Sequence, residues 1–151
     1  MPRPRATPSF RELSAKEATA VLRRNHVGRI AFAFQRRVDI VPIHYVYSAG
    51  WVYGRTSLGP KLLTLKHNQW VAFEVDEIEG LFNWRSVVLH GGLYLLDAGG
   101  PPREVAARRR AIRLLRELVP DTLRAADPVP FRDILFRIHV DELSGRAAQV
   151  K

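Results

Sequence analysis

Between Arg29 and Thr56 three runs rich in β-branched and aromatic residues follow one another: Arg29 to Phe34, Val38 to Tyr47 and Trp51 to Thr56. Only Gln35-Arg36-Arg37 and Ser48-Ala49-Gly50 separate them. Parallel strands need a crossover of about a dozen residues or more, and no helix fits in these gaps. The three runs therefore form an antiparallel meander.

The rest of the chain extends this pattern. Ser14 and Glu17 form a capping box that opens a helix to about Asn25, with Ala15, Ala18, Val21 and Leu22 on its apolar face. Pro60 suits the first turn of a short helix over 61–67. A fourth strand runs from Trp70 to Asp76 and ends in an acidic loop, Asp76 to Gly80. A fifth, Trp84 to Leu96, is long enough to bend at Gly91-Gly92. Ala98-Gly99-Gly100-Pro101-Pro102 precedes an arginine-rich helix, about Arg103 to Val119, and Ile134 to Val140 is the last strand. Too few helices alternate with strands for a doubly wound sheet. The expected fold is mainly β with helices (α+β), a six-stranded antiparallel barrel plugged by helices. Residues 1–11 read as a flexible basic tail, and 12–151 as a single domain.

The 151 residues suit one core. No apolar run nears the ~20 residues a membrane helix needs, and no secretory leader follows Met1, so the cytoplasm is the expected location. The absence of cysteine excludes disulfides, thiolate metal sites and cysteine nucleophiles. Lys and Arg number 24 against 15 acids, a net charge of +9, which favours anionic partners. The largest cluster, Arg103, Arg108, Arg109, Arg110, Arg113 and Arg116, decorates one helix opposite Ala107, Ala111, Leu114, Leu115 and Leu118. A solvated helix face explains it better than a nucleic-acid surface, since no nucleic-acid-binding motif accompanies it.

Familiar catalytic constellations are missing. The five histidines show no H-x-x-x-H pair, no G-x-S-x-G elbow occurs, and Asp76, Glu77 and Glu79 read as a solvated loop. The informative stretch is Gly54 to Lys61, a strand leading into a helix start, where free N–H groups collect phosphate. It fails as a Walker motif, because Pro60 intrudes and Leu62 replaces the metal-binding hydroxyl. Two readings stay open: a metal-free phosphate cradle of Arg55, Thr56, Ser57 and Lys61, or an ordinary capped turn with two surface cations. Pro42 interrupts a strand and denies the ladder a donor, so either a ligand edge or a strand edge or bulge lies there. Trp84-Arg85-Ser86 joins an aromatic face, a cation and a hydroxyl, while Tyr45, Tyr47, Trp51 and Tyr53 suit core packing.

These positions, in this order, resemble the pyridoxamine 5'-phosphate oxidase-like FMN-binding split barrels, within them the flavin-nucleotide-binding proteins related to the nitroimidazole reductases. The matching residues are Glu17 to Leu22, Gly28 to Ala31, Val41 to Tyr45, Val52 to Lys61, Val71 to Asp76, Trp84 to Gly91 and Phe136 to Val140, followed by Leu143 to Arg146. The resemblance implies a homodimeric split barrel with FMN bound between subunits and a small-molecule substrate. It also implies that Lys61, Thr56, Ser57 and Arg55 hold the phosphate, and that main chain at Val41, Pro42 and Ile43 meets the isoalloxazine, with Tyr45 close by. Trp84, Arg85 and Ser86 would complete the site from the second subunit. Where nitroimidazole reductase relatives carry a histidine this chain has Gly54, which puts that reaction in doubt but not flavin binding. The leading expectation is an FMN-dependent oxidoreductase; the alternatives are a non-catalytic carrier or sensor, or a relative that binds deazaflavin F420 or haem.

Overall fold

The computed structural model describes Pro2 and residues 7–57 and 70–150. The expected helix over 61–67, and Lys61 with it, lies outside the described residues. The chain runs β1 (Pro8–Glu12), α1 (Ala15–Arg24), β2 (Val27–Phe34), β3 (Arg37–Ser48), β4 (Trp51–Thr56), β5 (Trp70–Gly80), β6 (Asn83–Leu95), α2 (Pro102–Leu118), β7 (Ile134–His139) and β8 (Glu142–Val150). All described strand pairs are antiparallel.

Strand order β6-β5-β2-β3-β4-β7 closes on itself because β7 also pairs with β6. The bend expected at Gly91-Gly92 makes this closure. Before it, Trp84 to His90 pair with β8; after it, Leu93 to Leu95 pair with β7. Gly91 is obligatory there, since a Cβ would lie 1.6 Å from the His139 carbonyl oxygen. The meander is held by tight turns. Ala49 and Gly50 both adopt positive φ, 48° and 84°, the backbone twist that two-residue hairpins favour.

Leu22 of α1, Ile30, Tyr45, Phe73, Leu89 and Phe136 lie in the barrel core. Ser14 accepts from the Glu17 amide and Glu17 from the Ser14 amide, so the expected capping box is present. At the other end of α1 the Asn25 amide donates to the Val21 carbonyl and the Tyr45 hydroxyl to that of Leu22. Two carbonyls that a helix end leaves unpaired are thereby satisfied. A second, smaller core forms where Ala107, Ala111 and Leu115 of α2 meet Tyr53 and Leu135. The apolar stripe read from the sequence faces this way.

Three expectations change. The tail read over 1–11 is mobile in no part of 8–11: Pro8 to Glu12 pair with Val150 to Arg146. Strand β8, whose Glu142-x-Ser144-x-Arg146 pattern is too polar to read as core, offers the edge that β1 covers. The acidic loop 76–80 is instead the end of β5, and the turn falls at Leu81-Phe82. Two of its acids are paired, Asp76 with Arg29 and Glu77 with Arg24 and Asn25, while Glu79 is exposed as expected and accepts from Asn83. The ring has the expected six strands, with β8 and β1 added on the β6 side.

Candidate functional site

The split lies between β3 and β4. Their register pairs Tyr45 with Gly54, Val46 with Tyr53, Tyr47 with Val52 and Ser48 with Trp51, and stops there. Continued by three residues, it would set Ser57 opposite Pro42. Proline has no N–H to offer a partner, so the ladder has no donor at that point and β4 ends at Thr56. Beyond it, Val38 to His44 pair with β2 alone among the described residues.

The phase of that uncovered edge follows from one bond. The Tyr45 amide donates to the His26 carbonyl on the β2 side. Antiparallel alternation then turns the backbone groups of Ile43 and Val41 toward β2 and those of Pro42 and Ile40 outward. The edge thus presents the Pro42 carbonyl and both backbone groups of Ile40. Pro42 costs the β2–β3 ladder nothing, because its missing donor falls on the outer side. Side chains alternate too: Ile43 and Tyr45 are buried, whereas Ile40, Pro42 and His44 are exposed.

The other expected site residues separate into two places. Ser57 is exposed at the mouth of the split, and Thr56 is buried beside it. Arg55 is buried as well, and its guanidinium grips Asp127, with Nη2 at 2.9 Å from Oδ1 and Nη1 on Oδ2. Asp127 also accepts the amides of Leu123 and Val129. The guanidinium, more than the two amides, holds the Asp127 carboxyl well below its usual range. The charge of Arg55 is spent inside the protein. Tyr45 is likewise committed, with its hydroxyl 2.8 Å from the Leu22 carbonyl and its ring 5.0 Å from that of Phe73. Burial raises its pKa. Neither Asp127 nor the Tyr45–Leu22 bond is visible in a local motif; Asp127 sits 72 residues from Arg55.

Trp84, Arg85 and Ser86 lie on β6, with two strands between it and β3 in either direction around the ring. They do not meet the mouth within one chain. Trp84 and Ser86 face a groove of about 430 Å³ together with Glu12, Val88, Ser144 and Arg146. Phe10 packs on Trp84 at 6.4 Å and brings β1 to the groove. Arg85 turns to the opposite face and lines a smaller cavity with Glu77 and Gln149. The Ser86 hydroxyl donates to Glu74 at 2.9 Å, and Arg29 reaches both Glu74 and Asp76. Burial first, and the adjacent Asp76 second, raise the Glu74 pKa against the pull of Ser86 and Arg29. Glu77 moves the other way, to about 2, chiefly through its bond from Arg24. Sequence reading missed Glu74; its alternation with Asp76 on one face of β5 was the available signal.

Gly54 also has a structural cause. A Cβ there would lie 2.6 Å from Cζ of Phe136, a ring wholly inside the barrel. A side chain at position 54 would require the Phe136 ring to shift.

The profile described as Pyridoxamine 5'-phosphate oxidase matches residues 14–147. The chain belongs to the pyridoxamine 5'-phosphate oxidase family. Among solved structures it resembles an FAD-binding protein from Mesorhizobium loti, at 31% identity and TM-score 0.73, covering 95% of this chain and 99% of that one. An FAD-binding protein from Mycobacterium smegmatis shares the fold at 24% identity and TM-score 0.64, covering 91% of this chain and 98% of that one. An uncharacterised protein of Rhizobium meliloti is 27% identical over 146 residues, 91% of this chain and 95% of its own length. The split-barrel architecture of this family is the one described above. Among the described residues no helix is long and apolar enough to cross a membrane, and no group of three or more His, Asp or Glu is placed to hold a metal.

Proposed function

We propose that this family member binds a flavin, FMN, at the mouth of its split and passes reducing equivalents through it to a small-molecule substrate. The observation that carries the reading is the near full-length likeness to the Mesorhizobium loti FAD-binding protein. The geometry supports it: a strand edge of defined polarity, unpaired among the described residues, lies beside the exposed Ser57 hydroxyl.

The described residues fit the polar edge of a flavin ring. The Ile40 amide can donate to a ring carbonyl or deprotonated nitrogen, and the Pro42 carbonyl can accept from a ring N–H. Ser57 and Lys61 would hold the phosphate, with the buried Arg55 as the anchor that fixes the strand end rather than a direct ligand. When bound, the flavin supplies the redox chemistry, and the protein supplies position and charge. Trp84 and Ser86, remote from the mouth in their own chain, would reach it from a second copy, so the functional unit is a homodimer. Its expected location is the cytoplasm.

Three measurements test this. Purified protein should show flavin absorbance, and chromatography of the released cofactor should yield FMN; release of FAD alone would replace FMN in the proposal, and a haem band or no chromophore with no flavin uptake would reject it. Lys61→Ala should weaken flavin binding by roughly 1.5–3 kcal/mol, the worth of a charge-assisted contact. Anaerobic NADH or NADPH should bleach the bound flavin. A second reading, a non-catalytic flavin carrier, is favoured by the closed Gly54 position. Bound flavin that neither nucleotide reduces would select it.

A further inference from the structure

On the exposed side of the arginine-rich helix the cations are not evenly spread. Arg109, Arg113 and Arg116 of α2 converge with Arg124 on one cleft of about 480 Å³, with Ile112 as its apolar floor. No acid lines it. Elsewhere Arg11, Arg24, Arg29, Arg37 and Arg55 are held by carboxylates, and Arg23, Arg132 and Arg137 lie over aromatic rings. Among the described residues Arg109, Arg113 and Arg124 have neither kind of partner, as is also true of Arg36, Arg103, Arg108 and Arg146; what sets the first three apart is that they share one cleft with Arg116. Glu117, one turn beyond Arg113, makes no ion pair with it and does not line the cleft.

The convergence is built into the loop after α2. Nε of Arg116 donates to the Thr122 carbonyl at 2.9 Å, tying the loop to the helix. Thr122 is buried, and Leu123 takes a positive φ of 56° with its amide on Asp127. The Arg124 carbonyl accepts the Asp127 amide. These contacts hold Arg124 against α2 and add a fourth positive charge to three that already repel one another along a single face. The helix dipole favours cations in the last turn, which accounts for Arg116. It does not account for Arg109 in mid-helix or Arg124 outside it.

We propose that this cleft is a binding site for linked phosphates, the chemistry of a nucleoside di- or triphosphate or an inorganic polyphosphate. Arg109 and Arg116 stand seven residues apart, about 10 Å along the axis at 1.5 Å per residue. That span exceeds one phosphate and matches negative charge spread over several. Guanidinium forks bind phosphate oxygens in pairs, and the apolar floor suits a compact ligand better than a passing polymer. The site lies on the outer side of α2 and goes beyond the flavin reading.

Calorimetric titration of the full chain, flavin-loaded as purified, with inorganic tripolyphosphate at low salt tests it. Saturable binding of one tripolyphosphate per chain is expected, with orthophosphate at least about tenfold weaker. Arg113→Gln/Arg124→Gln should weaken tripolyphosphate at least about tenfold, while Arg36→Gln/Arg103→Gln, which removes the same charge elsewhere, should leave it within about twofold. Circular dichroism and flavin absorbance should be the same in both variants. Non-saturable binding, equal loss in the two variants, or retention of a polynucleotide that tripolyphosphate does not displace would overturn the site.

Discussion

Gly54 and Phe136 are a pair, and neither residue makes sense alone. Phe136 fills the barrel where β4 and β7 run side by side, and its ring needs the space a side chain at position 54 would take. Gly54→Ala should therefore overpack the core and cost about 1–3 kcal/mol, read as a lower midpoint in denaturant. Phe136→Leu in the same chain should return part of that loss, because the smaller side chain vacates the contact. A Gly54→Ala protein as stable as the parent would mean that the ring rotates away freely. The same crowding should make Gly54→His more destabilising than Gly54→Ala.

Between elements, the tie from Arg55 to Asp127 joins the end of β4 to the loop that follows α2. The buried guanidinium fixes the strand just before the polypeptide enters the proposed phosphate-binding stretch, and Asp127 fixes the loop through two backbone amides. Replacing Arg55 with Met leaves a carboxylate in the interior without its cation, and a loss of about 3 kcal/mol is expected. The double replacement Arg55→Met/Asp127→Leu should recover much of it, since apolar pairs of similar volume are tolerated where an ion pair stood. If the single and double variants unfold alike, the tie matters for packing rather than for charge. This tie also marks the limit of reading the chain as a string. The capping box at Ser14, the meander and the bend at Gly91-Gly92 depend on neighbours within a few residues, so they were legible. Pro42 was legible as an interruption, yet its position outside the β2 ladder needed the register. Arg55 sat in the right motif beside Thr56 and Ser57, but its partner comes from a loop with no signature of its own. The pairing of β1 with β8 joins segments more than 130 residues apart through a mixture of polar and apolar residues, and no local pattern announces it.

At the scale of the whole molecule, one chain carries the candidate residues on two surfaces that do not touch. Pro42 and Ser57 lie at the split, whereas Trp84 and Ser86 line a groove with residues of β1 and β8; Lys61, proposed for the first surface, is outside the described residues. In the proposed homodimer the first surface of each copy would meet the second surface of the other, making two equivalent sites. That arrangement has a consequence that no single-chain site shares. A Lys61→Ala chain and a Trp84→Ala chain should each lose flavin as homodimers. When the two are mixed and allowed to exchange subunits, each mixed dimer holds one site with both defects and one with neither. Random exchange makes half the dimers mixed, so about one quarter of all sites should regain flavin at parental affinity. If Lys61 and Trp84 of the same chain served one site, every site in the mixture would carry one defect and nothing would return. Flavin fluorescence quenching on mixing, followed through dilution to separate exchange from binding, distinguishes the two outcomes, and a mixture as flavin-free as its components would break the link between the two surfaces.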